Sequence, residues 1–158
     1  MVNMPRIALY FALLIALVSF ASCGGSGNKG HKGLYPYDYC FINPAMDGGE
    51  IQAYSERTLI AVDYDTNQDI EKKVKTKLTV TQKSELDNLV AAAGFDFSDN
   101  LTFGTQNPSL TLHAVFVNTE DKGQKVVYFW GETPSGATAE YLALRDYLRD
   151  LYDATISQ

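Results

Sequence analysis

Cysteine and histidine supply many of the nucleophiles, bases and metal ligands of proteins, and this chain has two of each. Cys23 directly follows the small residues Ala21 and Ser22, and Cys40 lies between Tyr39 and Phe41. His31 sits between Gly30 and Lys32, where a solvated side chain is a better reading than a metal ligand. His113 shares an alternating strand face with Thr111, Val115 and Val117, with no Cys, Asp or second His near it in sequence. A hydrogen-bonded structural imidazole therefore outweighs a catalytic one. There is no Gly-x-Ser-x-Gly, Walker loop, His-Glu-x-x-His or paired-cysteine motif. So few nucleophile–base combinations make an enzyme the least favoured class, with no catalytic residue assigned and no cofactor expected.

Two further groupings have spacing that could bind a ligand. Asp63, Asp65, Asn67 and Asp69 place oxygens at every second position, which resembles the start of an EF-hand calcium loop. Gln68 stands where that loop needs its sharp-turn glycine, and Val74 where its closing glutamate belongs. An acidic hairpin loop is the better reading, with calcium as the alternative and no other metal site assigned. Tyr35, Tyr37 and Tyr39 alternate with Pro36, Asp38 and Cys40, so an extended segment puts three rings on one face. Such a row could stack on sugar rings or a peptide. An edge strand whose tyrosines cover the core fits the same pattern, tolerates Pro36, and is favoured.

The apolar run Ile7 to Val18, preceded by Arg6 and followed by Ser19-Phe20-Ala21-Ser22-Cys23, has the order of a secretory signal. It is too short to span a bilayer, which takes roughly 20 mostly apolar residues. Ala21, Ser22 and Cys23 resemble the lipobox of bacterial lipoproteins, although Phe20 departs from its usual leucine. The resemblance implies that residues 1–22 are a removed signal peptide and that Cys23 becomes lipidated and N-terminal. The expected location is the bacterial cell envelope, with the protein anchored in the lipid bilayer by its acyl chains. Cys40 would then be left unpaired and buried. Cleavage after Ala21 by a conventional peptidase would instead leave two thiols free to bridge.

Residues 24–33, GGSGNKGHKG, hold five glycines and no apolar side chain, and read as a flexible tether. Residues 34–158 are then a single globular domain of ordinary size, and 46% hydrophobic residues over the whole chain suffice for a core. Thirteen basic residues against nineteen acidic ones give a net charge of −6, or −7 once Arg6 is lost. That balance argues against nucleic acid, which needs clustered Lys and Arg, and against electrostatic adhesion to anionic lipid. Its main consequence is solubility.

The elements that must position these residues follow from periodicity. Residues 34–42 read as an edge strand, followed by a loop through Asn43-Pro44 and Asp47-Gly48-Gly49. Thr58 to Tyr64 and Lys72 to Val80 form a hairpin, with Val74, Thr76, Leu78 and Val80 on one face and lysines on the other. Thr81 caps a helix ending at Gly94, with Leu86, Leu89, Val90 and Ala93 on its apolar face. Phe95, Phe97, Leu101 and Phe103 anchor a polar loop. Leu110–Val117 and Gln124–Trp130 form a second hairpin across a polar turn. A last helix from Ala137 to about Asp153 buries Tyr141, Leu144, Leu148 and Leu151, with Arg145, Asp146, Arg149 and Asp150 outside. The expectation is a two-layer α+β domain in ββαββα order: an antiparallel sheet of four or more strands with two helices on one face.

Leu78-Thr79-Val80 before a helix, the Ala92-Ala93-Gly94-Phe95 helix exit, and a second hairpin ending near a proline-led helix mark residues 58–152. On these the segment resembles the emfourins, small bacterial inhibitors of thermolysin-like metalloproteases. The resemblance implies an inhibitor but transfers no inhibitory residue. The leading expectation is a membrane-tethered, non-catalytic interaction module whose partner is an envelope protein. A periplasmic metalloprotease inhibitor comes second, and a carbohydrate-contacting protein using Tyr35, Tyr37 and Tyr39 third.

Overall fold

Two-residue alternation builds one sheet here, and a leucine stripe closes it. A computed structural model describes residues 38–43, 48–95, 99–107, 109–119 and 123–158. All of these belong to one unit spanning 31–158. The strands are β1 (Tyr39–Asn43), β2 (Gly49–Ala53), β3 (Thr58–Tyr64), β4 (Ile70–Lys77), β5 (Leu101–Phe103), β6 (Leu112–Thr119) and β7 (Gly123–Trp130). The helices are α1 (Val80–Ala93), after β4, and α2 (Ala139–Ile156), after β7. The fold is α+β. Its described order, four strands, a helix, three strands and a helix, replaces the expected ββαββα.

The seven strands lie in the order β4-β3-β2-β1-β6-β7-β5. All pairings are antiparallel except β5 with β7, so the sheet is mixed and not purely antiparallel. β5 follows α1, and the three residues Leu101–Phe103 align beside Val127–Phe129 as a short edge. Of the expected edge strand, the described part, Tyr39 to Ile42, lies in a central strand: β1 pairs with β2 on one side and β6 on the other. β2 begins at the last residue of the Asp47-Gly48-Gly49 turn signal and fills a stretch to which the sequence assigns no element. Its Gly49 is required because a Cβ there would meet the Tyr152 hydroxyl of α2 at 2.1 Å.

Residues in register divide cleanly between two faces. Phe41, Ile51, Leu59, Ala61, Val115, Val127 and Phe129 point to the face that carries the helices. They pack with Leu86 and Phe95 from α1 and its exit, and with Tyr141, Leu144, Leu148 and Leu151 from α2. Tyr147 of α2 donates to the Gln82 carbonyl of α1 at 3.1 Å, and Tyr152 to Asp63 Oδ1 of β3 at 2.8 Å. The opposite face carries Cys40, Ile42, Val62, Ala114, Phe116 and Val126, buried but outside that cluster. At the β4 edge Lys73, Lys75 and Lys77 point outward to water, which discourages pairing with another chain.

Two boundaries move. Helix α1 is capped by Thr79, not Thr81. The Gln82 N–H donates to Thr79 Oγ1 at 3.1 Å, and the Thr79 N–H donates to Gln82 Oε1 at 2.9 Å. This reciprocal capping box satisfies two amides of the first turn. Val80 therefore leaves the strand, starts the helix and stands 71% exposed, while Leu78 is the last buried residue before the cap. In α2, Arg145 is 3% exposed and not outside. Its guanidinium lies 5.5 Å from the Phe129 ring centroid and donates to the Glu132 carbonyl at 2.8 Å.

Candidate functional site

Cys23, His31, Tyr35 and Tyr37 lie outside the described residues, as does Phe97. Tyr39 packs against α1. Its hydroxyl donates to Asp87 Oδ1 of α1 at 2.7 Å, and Lys83, itself paired with Asp87, lies 5.3 Å over its ring. Burial and the neighbouring carboxylate push the phenol far above its usual proton affinity. This contact ties the central strand to α1 and commits the hydroxyl to structure.

The acidic loop between β3 and β4 spends its oxygens on its own turn. Asp65 Oδ1 accepts the N–H of Asn67 at 2.8 Å and that of Asp69 at 3.0 Å. Those two amides hold the Asp65 carboxyl below the usual range. Gln68 takes the left-handed conformation, φ 68°, that the hairpin needs. Asp63 turns away to Tyr152. Among the described residues no group of three carboxylates, histidines or cysteines able to hold a metal occurs.

Two buried polar clusters stand out instead. On the helical face, His113 is 2% exposed and stacks on Phe41, ring centroids 5.6 Å apart. Its Nδ1 finds no hydrogen-bond partner among the described residues. Burial lowers its proton affinity, so the imidazole is neutral at pH 7; Glu132 and Asp146 oppose the shift, Arg145 and Arg149 reinforce it. These charges form a linked set: Arg145 donates to Asp146 at 2.7 Å, Arg149 to Glu132 at 2.7 Å, and Arg149 lies 3.2 Å from Asp146. The guanidiniums are thereby occupied, and the set locks the β7–α2 connection to the helix.

On the opposite face, Tyr54 donates to Gln52 Oε1 at 2.8 Å, and Gln52 Nε2 donates to Glu50 Oε1 at 3.0 Å. Tyr64 also hydrogen-bonds Glu50. Burial raises the Glu50 carboxyl despite these bonds and the nearby Lys73. Cys40, cross-strand from Gln52, is a free thiol, and burial and Glu50 together keep it protonated. A buried, protonated thiol is a poor nucleophile, so the cluster reads as a satisfied polar core, not a reactive centre. The sequence assigns no element to Glu50 and Gln52, which follow the Asp47-Gly48-Gly49 turn signal; the Glu-Ile-Gln-Ala alternation is the available signal.

The outer surface of α1 carries an open groove of about 690 Å³, lined by Val80, Ser84, Glu85, Asn88, Leu89 and Ala92. It offers apolar contact flanked by a carboxylate and amide, and no charge pair suited to catalysis. The chain matches no protein-family model and no curated protein. Among the described residues no helix is long and apolar enough to cross a membrane.

Proposed function

We propose that the protein is a lipid-anchored module of the bacterial cell envelope that acts by binding an envelope protein, without catalysis. The observation that carries this reading is the run Ala21-Ser22-Cys23 followed by a glycine-rich tether and then a folded sheet. The apolar run, the small residues and the cysteine supply a processing and acylation site. The tether supplies reach of roughly 16–19 Å from the scaling of glycine-rich chains. Several acyl chains hold a protein firmly, since each buried methylene contributes roughly 0.8 kcal/mol. The occupied state of Tyr39, of the Arg145 and Arg149 guanidiniums and of the Glu50 cluster favours a structural scaffold over a reaction centre.

Labelling with palmitate and fractionation of cells test this reading. The wild-type chain should take up label and sediment with membranes, and its intact mass should start at Cys23 with acyl groups attached. Cys23→Ala should lose the label and either release the domain to the soluble fraction or stall its processing. An unmodified soluble chain starting at Ser22 and carrying a Cys23–Cys40 disulfide would overturn the anchor. The emfourin-like features support a second reading, inhibition of a thermolysin-type protease. Phe95 at the Gly94 helix exit is buried, in keeping with that resemblance. Unslowed thermolysin at stoichiometric protein would dispose of it.

A further inference from the structure

We propose that the outer edge of β4 is a docking site for an acidic, extended segment of a partner protein, which adds to the sheet as a further strand. The inference rests on the reading of the chain as a binding module and is independent of the lipid anchor. β4 and β5 are the two edges of the sheet. β5 has three residues and little backbone to offer, whereas β4 has eight and no proline. No described strand pairs with the outer side of β4, and Lys73, Lys75 and Lys77 are exposed.

The phase of the ladder decides which backbone groups face outward. Leu78, directly after β4, donates its N–H to the Arg57 carbonyl at 2.8 Å. The Thr58 carbonyl turns the other way and accepts from Tyr54 at 2.9 Å, although Thr58 stands opposite Lys77. Backbone groups alternate sides along an antiparallel strand, so Thr76 and Val74 bond to β3 as Leu78 does. The N–H and C=O groups of Lys73, Lys75 and Lys77 are then the ones left on the free edge. The same three residues carry the charge. They stand opposite Val62, Ile60 and Thr58, and so share the helix-free face. Lys72 is on the other face, donating to the Ile156 carbonyl at the end of α2. Among the described residues Lys75 and Lys77 have no ion-pair partner. A chain of net charge −6 thus gathers four of its thirteen basic residues within residues 72–77.

Charge and backbone together select the occupant. Alternate side chains of a strand stand about 6.8 Å apart on one face. Carboxylates at alternate positions of an added antiparallel strand fall directly opposite the lysines, in pairs that also exchange backbone hydrogen bonds. A second copy would set lysine against lysine, so the row that discourages pairing with an edge of like charge admits an acidic one. Nucleic acid would meet the ammonium groups but has no ladder for the free amides and carbonyls. An acidic extended peptide satisfies both, with main-chain bonds giving affinity and alternate side chains giving specificity. Ile70, 58% exposed at the start of β4, adds an apolar contact.

The test titrates the isotope-labelled full chain, purified from cells, with a blocked peptide of alternating threonine and glutamate as long as the eight residues of β4. Amide hydrogen exchange is read by NMR. In the free chain the amides of Lys73, Lys75 and Lys77 should exchange fast and those of Val74 and Thr76 slowly. Saturating peptide should slow the three lysine amides about tenfold or more. A peptide of alternating threonine and lysine should leave them unchanged, a comparison that needs no variant. Lys75→Glu combined with Lys77→Glu should weaken binding of the acidic peptide about tenfold or more and leave circular dichroism unchanged. Lys73 is kept because its charge also acts on Glu50. No binding of the acidic peptide, equal binding by the double variant, or lysine amides already slow in the free chain would each overturn the proposal. So would tighter binding of a single-stranded oligonucleotide than of the acidic peptide. Protection confined to α1 would keep the binding module and sink the edge alone.

Discussion

His113 and Glu50 stand on opposite faces of the same sheet, and burial drives their titrations in opposite directions. His113 has a lowered proton affinity in the fold, so below the ordinary imidazole value of about 6.5 the unfolded chain binds a proton that the folded chain refuses. Its contribution to stability is therefore lost as pH falls through that region. His113→Leu should flatten the decline in melting temperature between pH 7 and pH 5; an unchanged slope would remove His113 as the cause. Glu50 has a raised carboxyl, so the folded chain holds its proton longer than the unfolded one. Stability falls as pH rises from the ordinary carboxyl value to the raised one, and the penalty persists above it. Glu50→Gln should thus raise the melting temperature at pH 7, with the gain fading toward pH 4. A variant destabilised equally at both values would show that the Tyr64 and Gln52 hydrogen bonds outweigh the buried charge.

At the scale of elements, helix α1 separates two readings of one sequence. The segment Thr79-Val80-Thr81-Gln82 offers two threonines for the cap, but only Thr79 has Gln82 three residues on. Thr79→Ala should cost about 1 kcal/mol in urea unfolding, while Thr81→Ala, exposed in the first turn, should cost little. Equal costs would mean that the capping box contributes nothing. Strand β3 and the stripe Tyr141, Leu144, Leu148 and Leu151 were legible because periodicity alone decides them. Strands β2 and β5 were not: Gly49 and the turn signals before it read as loop, and the three residues of β5 are too few to show a period. Arg145 misled because a charged residue beside an apolar stripe ordinarily faces water. Here its guanidinium reaches a backbone carbonyl and an aromatic face, so its stem can be buried. The tyrosine alternation gave Tyr39 its strand but not its neighbours, since which strand is central depends on pairing partners far along the chain.

Across the whole molecule, the first described strand is the one that joins everything else. Strands β2, β3 and β4 follow one another by hairpin-length connections and pair in sequence order. Strands β6, β7 and β5 form the other half. Only β1 pairs with both, and α2 crosses over β1, β2, β3, β4 and β6 above that seam. Phe41 sits at the middle of the seam, 1% exposed, level with Ile51 in β2 and Val115 in β6, and stacked on His113. Cutting it back removes contacts from both halves at once, and neither half can close the gap without shifting against α2. Phe41→Ala should therefore cost about 3–5 kcal/mol, the range for a large aromatic lost from a rigid core. Val74→Ala, half-buried in the edge strand β4, should cost much less. Urea unfolding of the two variants makes the comparison, followed by fluorescence of Trp130 in β7 and by circular dichroism. Coincident transitions are expected, because a sheet joined at one strand must unfold as a unit. Separate transitions, or a Phe41→Ala cost no larger than that of Val74→Ala, would mean that the two halves hold together through α2 alone.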